Sequence, residues 1–364
     1  MSTLNLIYKY GGIFSPFPYK NNIPKVCCLI LWIILITTYS TLKYYEIENL
    51  KANLANLEYE KIWFTVTYFC IITMVNVCYI YDKMRNHSPW EKFMNNINDL
   101  DRYGKRKSIF SCCVQIFFFS LPLLLNHVYV VSFLLNFSIS LESMKNSFLE
   151  LYEVFTDIQL TYFCVVVWEI CNIFSDRCDY LGRFIKRSFS IEILYRDRFM
   201  EDIKLTKKYL VRLDKEIVIF NSLTGKLLFL LIVFSSVYII NQFLFVFLFV
   251  GNQMTNVYVA VDILTTLAFS IIPILSCDKI EKKLDELAQT CVYIQSKTGD
   301  PHAKDLVIMT KLLNRKYSAA GFFDVNQRLL PQLFSGLMTY LIVILQFNVA
   351  VFKKYIKNDV EKVN

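Results

Sequence analysis

Five polar side chains interrupt an otherwise apolar stretch from Pro331 to Phe352: Gln332, Ser335, Thr339, Gln346 and Asn348. The first four sit at offsets 0, 3, 7 and 14, on one face of a helix. The missing turn of that face falls on Ile342 and Val343. At ~1.5 Å per residue the stretch can cross a ~30 Å hydrocarbon core. Polar groups in lipid are costly unless they face a partner or water. Two uses of the stripe are open. One is glue between helices, since Ser, Thr and Gln hydrogen-bond across neighbours. The other is a lining for a water-filled path, with the aliphatic position as a hydrophobic constriction.

A second group suits binding. Trp63, Tyr68, Asn126, His127, Tyr129, Gln159, Tyr162, Tyr238, Gln242, Tyr258 and Asp262 fall towards one end of successive apolar segments. Aromatic faces with a few amide, hydroxyl and carboxyl groups fit a small organic ligand. Each has an ordinary alternative. Tyr and Trp collect at membrane interfaces, and His127 serves as well in an interhelical hydrogen bond. Asp262 is the most informative, because an acid inside an apolar segment needs a reason. Glu169 is similar but lies towards the opposite end of its segment. No nucleophile, metal cluster or phosphate loop stands out, which argues against an enzyme and against a cofactor.

The elements that position these residues are membrane spans. The chain is 55% hydrophobic and only 19% charged, with nine Gly in 364 residues, so the class is an all-α polytopic membrane protein. Ten-residue alternating segments, the mark of an outer-membrane barrel, are scarce. Seven spans are expected, at 26–44, 62–81, 109–139, 157–175, 226–250, 255–277 and 332–352. Pro122 should kink the long third span. Residues 1–25 hold three Lys and no acid, and no small-residue cleavage site closes the first span, so a signal anchor is expected. The net charge of +8 is dispersed among acids in loops, which does not suit nucleic acid. None of the eleven cysteines falls in an outer loop, so no extracellular disulfide is expected; Cys178 and Cys291 fall in inner loops. Asn136-Phe137-Ser138 is a sequon at the outer end of span three; Asn86-His87-Ser88 lies in an inner loop and should be silent.

Lys and Arg set the orientation. The N-terminus and the 82–108, 176–226 and 278–331 segments hold 31, against eight on the other side, four of them in the C-terminal tail. The N-terminus is therefore expected inside and, with seven spans, the C-terminus outside. That excludes a G-protein-coupled receptor, whose N-terminus is outside. Asp101-Arg102-Tyr103 is coincidental on this view, since it precedes the third span within a charged loop. Two inner segments have helical seams. Ile280, Leu284, Leu287, Cys291 and Ile294 repeat at 4-3-4-3. Gly299-Asp300-Pro301 breaks that helix, and Ala303 to Tyr317 resumes helical character. Residues 180–220 read as one charged amphipathic helix with Phe184, Ile191, Leu210, Leu213, Ile217 and Phe220.

One local pattern carries a resemblance. Thr339-Tyr340, five apolar residues, then Gln346-Phe347 resembles the T-Y-(five hydrophobics)-Q-F signature of insect gustatory receptors. Ala320-Gly321-Phe322-Phe323-Asp324 and then Leu329-Leu330 match the approach to it. The resemblance implies a taste receptor acting as a ligand-gated non-selective cation channel, in the plasma membrane of sensory neurons. It implies four subunits, identical or mixed with related receptors, around one pore. Val343 would be the hydrophobic gate and Gln346 the polar ring, with Thr339, Tyr340 and Phe347 holding the helix. The ligand-binding set would be Asn126, His127, Tyr129, Gln159, Tyr162, Tyr238, Gln242 and Asp262. The partners would be membrane lipid and a small tastant, a sugar or a bitter compound. On this reading residues 26–277 sense ligand, 278–331 form a cytoplasmic anchor, 332–352 line the pore and 353–364 are an outer tail. The rival is a seven-span receptor that signals through an intracellular partner. A transporter is disfavoured, since there is no internal repeat and no pair of Gly- or Pro-broken helices.

Overall fold

Long apolar runs that continue without a breaker into charged, periodic segments give very long helices. The computed structural model describes residues 17, 22–52, 59–84, 88–101, 141–192, 196–249, 253–313, 316–343 and 346. These form α1 Asn22–Ala52, α2 Tyr59–Met84, α3 Ser88–Asp101, α4 Leu141–Glu192, α5 Arg196–Phe249, α6 Gln253–Thr298 and α7 Pro301–Leu312. A two-stranded antiparallel hairpin follows, β1 Ser318–Ala319 and β2 Phe323–Asp324. The last described helix is the apolar α8, Leu329–Val343.

Among the described residues, α1, α2, α4, α5 and α6 each hold a run long and apolar enough to cross a membrane. The expected third span, 109–139, lies outside the described residues. With 52, 54 and 46 residues, α4, α5 and α6 are about 70–80 Å long. Each is thus more than twice the length a ~30 Å core requires and extends well beyond it. Pro273 is accommodated inside α6.

Contacts fix the directions. Cys164–Phe269, Asn172–Lys279 and Asp179–Lys283 pair α4 with α6 at a nearly constant sequence offset, so the two run parallel. Asn76–Thr156 and Tyr79–Gln159 make α2 parallel to α4. Tyr68 with Tyr238 and Tyr81 with Lys226 make α5 antiparallel to α2. Lys43–Glu153 and Trp32–Phe155 make α1 antiparallel to α4. The end of the bundle that carries Asp262 is called upper below, and the end that carries the β-hairpin lower.

Three expectations need correction. The segment 180–220 is not one helix: it is divided between the end of α4 and the start of α5. The Ser188 hydroxyl donates to Asp202 Oδ2 at 2.6 Å across the reversal. Leu210, Leu213, Ile217 and Phe220 are buried as the seam requires, but a seam does not reveal where the chain doubles back. The charged loop after α2 contains a helix, α3, with Asp101 as its last residue. Trp90, Phe93, Met94 and Ile97 are buried at offsets 0, 3, 4 and 7. Pro89 sits in the first turn, where its missing N–H costs nothing. The Phe93 ring stacks on Phe220 of α5 at 6.0 Å. Finally, α7 stops at Leu312 and the chain is extended by Tyr317.

Other expectations stand. Ile280, Leu284, Leu287, Cys291 and Ile294 are all buried, with Leu287 Cδ1 close over Gly182 of α4. Gly299, at φ +64°, ends α6. Asp300 caps α7 by accepting from the His302 N–H at 2.7 Å, with Pro301 in its first turn. Cys178 and Cys291, by contrast, expected in loops, lie instead within α4 and α6, where both are buried, because those helices continue past their apolar runs.

Candidate functional site

Five helices converge on a polar cluster at the upper end. Asp262 of α6 is its centre. The Tyr238 hydroxyl of α5 donates to Asp262 Oδ2, and Gln242 Nε2, one turn further along α5, donates to the same oxygen at 2.9 Å. Those donors answer why an acid sits inside an apolar helix: the carboxylate is bought into the bundle by hydrogen bonds. Two more acids join from α4. Glu153 and Asp157 are one turn apart and share a face. The charges of Asp262 and Glu153 both act on Asp157. The Tyr39 hydroxyl of α1 donates to Glu153 Oε1 at 3.4 Å, and Lys43 Nζ lies 3.7 Å from that oxygen.

Aromatic rings wall the cluster. Tyr68 of α2 lies 5.2 Å from Tyr238 between ring centroids, and Phe234 lies 5.7 Å from Tyr238. Tyr39 stacks on Tyr152 at 4.2 Å and on Phe69 at 5.8 Å. Such offset rings combine a large apolar area with polar rims. Acids, phenols and ring faces gathered in this way can hold a small organic molecule by charge, hydrogen bonds and stacking.

The structure therefore joins Tyr68, Tyr238, Gln242 and Asp262. It sets Gln159 apart. That residue is fully buried, about 200° round α4 from Asp157. Its backbone carbonyl accepts from the Tyr79 hydroxyl at 3.4 Å, and its amide makes no hydrogen bond. Tyr162 sits within electrostatic reach of Tyr79, on the same side as Gln159. Asn126, His127 and Tyr129 lie outside the described residues, as do the side chains of Trp63 and Tyr258. Glu169 is buried further down α4. Sequence reasoning passed over Glu153 and Asp157. The available signal was two carboxylates at i and i+4 leading into an apolar run.

At the lower end a hairpin launches α8. Phe322 N–H donates to the Ala319 carbonyl at 3.0 Å, and both central residues of that turn have positive φ, Ala320 at 54° and Gly321 at 86°. Turns of this hand match the strand twist and favour Asn or Gly, so Ala320 is strained. The surroundings hold it. Ser318 N–H donates to Asn221 Oδ1 of α5 at 3.2 Å, and Gln327 N–H to Asp278 Oδ1 of α6 at 3.0 Å. Phe322 stacks on Phe229 of α5 at 4.6 Å. At Gly225 of α5 the hairpin comes so close that a Cβ would lie 3.0 Å from the Ser318 carbonyl oxygen. The helices that carry Tyr238, Gln242 and Asp262 above thus grip the root of α8 below.

α8 itself is weakly covered. Leu337 and Leu341 are buried, while Gln332, Ser335, Thr339 and Gln346 are exposed, as are Phe334, Met338, Tyr340, Ile342 and Val343. Thr339 returns its hydroxyl to the Ser335 carbonyl at 2.8 Å. Phe347 lies outside the described residues. Among the described residues no group of three or more His, Cys, Asp or Glu could hold a metal ion.

No protein-family model matches the chain, and no curated protein matches it in sequence. Solved structures do. The insect olfactory receptor OR5 from Machilis hrabei is similar over 95% of this chain and 97% of that chain, at 13% identity and a TM-score of 0.63. The same receptor in complex with eugenol is similar over the same shares, at 14% identity and a TM-score of 0.61. At this identity the likeness establishes the fold, and the chain is folded as an insect olfactory receptor is.

Proposed function

We propose that the chain is one subunit of a chemoreceptor channel: a gustatory receptor that opens a non-selective cation pore on binding a small organic tastant. The observation that carries this is α8. Thr339, Val343 and Gln346 share one exposed face of a helix in which only Leu337 and Leu341 are buried among the described residues. A face of this kind suits a pore built by several copies, each giving one α8. Four copies are proposed, with Val343 as a hydrophobic ring and Gln346 offering amide oxygens one turn away. The eugenol complex of the similar receptor supports a small organic ligand. The Thr339-Tyr340…Gln346-Phe347 pattern favours taste over smell.

Seven spans are proposed, with the N-terminus in the cytoplasm, residues 278–331 as a cytoplasmic anchor and a plasma-membrane location. The parallel course of α2 and α4 supports one further crossing between them, and the charge asymmetry supports the orientation. The test is whole-cell current from cells expressing the chain alone or with related receptors, against a panel of sugars and bitter compounds. Ligand-dependent cation current supports the proposal. Ligand responses that vanish when intracellular partner signalling is blocked, with no current in a planar bilayer, would replace it with a coupled receptor.

A further inference from the structure

Resting on the upper cluster as the ligand site, we propose that its ligand is an organic cation, a compound with a protonated or quaternary nitrogen beside an apolar body. Three carboxylates lie together there, Glu153, Asp157 and Asp262. Lys43 approaches Glu153, and Asp262 takes the Tyr238 and Gln242 donors. Asp157 differs. Its backbone carbonyl accepts from Thr161 at 2.8 Å, but among the described residues no cation or donor reaches its carboxylate.

A second observation points into the same space. Tyr68 is only 7% exposed, and its hydroxyl feels the charges of both Glu153 and Asp157. Among the described residues that hydroxyl makes no hydrogen bond. A phenol and a carboxylate that lie near each other without bonding can each take a partner from a third molecule. The rings of Tyr68, Tyr238 and Phe234 lie together beside them. Ring faces attract ammonium groups, and more strongly where water is excluded.

The chain already builds such an arrangement from its own atoms. The Lys43 ammonium lies 6.0 Å from the Tyr39 ring centroid and 3.7 Å from Glu153 Oε1. An incoming cation would repeat that pattern against Asp157, Tyr68 and Tyr238. A sugar would not. It brings hydroxyls but no charge, and so leaves these half-buried carboxylates without a counter-charge.

The test compares two probes of one shape, benzyltrimethylammonium and its neutral carbon isostere neopentylbenzene. Binding is read as thermal stabilisation of the purified full chain in lipid nanodiscs, and current is recorded from the same protein. Permanent charge removes the probe's own titration from the comparison. The cation should half-saturate at a concentration at least tenfold lower than its isostere. Asp157→Asn should raise that concentration at least tenfold. Asp262→Asn should do less, because its amide oxygen still accepts from Tyr238 and Gln242. Equal half-saturation by the two probes, no saturation by the cation, or an unchanged value in Asp157→Asn overturns the inference. Charge-selective binding without current supports the organic cation and counts against the channel. Current evoked by neutral compounds, without charge-selective binding, does the reverse.

Discussion

The upper cluster and α8 both place polar groups in apolar helices, and they treat them in opposite ways. Asp262 is met by Tyr238 and Gln242 from α5, and Glu153 by Tyr39 and Lys43 from α1. The hydrogen bonds and the ion pair of the cluster are made within one chain. Thr339 and Gln346 face outward, and only Leu337 and Leu341 of α8 are well covered. A polar group answered inside the chain belongs to a site the chain completes alone. Polar groups left on an outer face call for water or further copies. The hairpin joins the two regions, since α5 and α6 carry the cluster at one end and hold Ser318, Phe322 and Gln327 at the other.

The largest effect should come from Gln346→Lys. Around a shared pore it places one positive charge per subunit in the cation path, worth about 1–4 kcal/mol per charge pair at 4 Å between water and surface dielectric. Cation conductance in single-channel recordings should fall at least tenfold, with assembly unchanged because the position is exposed. Unchanged conductance would make the α8 stripe interhelical glue.

Gly225→Ala probes the link between the regions. The added Cβ meets backbone, the Ser318 carbonyl oxygen at 3.0 Å and the Ala320 nitrogen at 3.1 Å, so no side chain can swing aside. Overpacking of this kind costs about 1–3 kcal/mol. The ligand concentration for half-maximal current should rise roughly tenfold, at ~1.4 kcal/mol per decade, while ligand binding changes little. Equal losses in binding and current would show general damage to the fold and no specific coupling.

The smallest effect lies outside the membrane. Lys207 Nζ of α5 meets Asp305 Oδ2 of α7 at 2.7 Å and holds that carboxyl below its ordinary value of 3.8, first through the hydrogen bond and then through charge. A lowered folded value means that this tie contributes fully above the ordinary value and is lost as pH falls below it. Both groups are in contact with water, so the contribution is slight. The melting-temperature difference between the parent and Asp305→Asn should be present at neutral pH and close as pH drops below that value. A difference that widens in acid would contradict the assignment.

The sequence made some of this legible. Apolar runs mark α1, α2, α4, α5 and α6, the 4-3-4-3 seam marks the lower part of α6, and Gly299-Asp300-Pro301 marks its end. Asp262 stood out because an acid in an apolar run has few explanations. What stayed hidden depends on contacts through space. Glu153 and Asp157 read as helix-surface charges until α1, α2 and α6 close over them. The turn at Ala320 is invisible because alanine gives no sign of positive φ, and only its neighbours force it. The reversal after Glu192 is hidden because the same apolar spacing runs up to it and beyond.

Val343→Ser tests the central claim most directly. If Val343 is the hydrophobic ring of a shared pore, a hydroxyl there wets the constriction and lets ions through without ligand. Steady cation current in the absence of any ligand should rise several-fold over the parent at equal surface expression, while Ile344→Leu, about 100° round the helix, should leave it at the parent level. Ligand-free current equal to the parent in Val343→Ser, with normal ligand-evoked opening, would contradict a gate at this position.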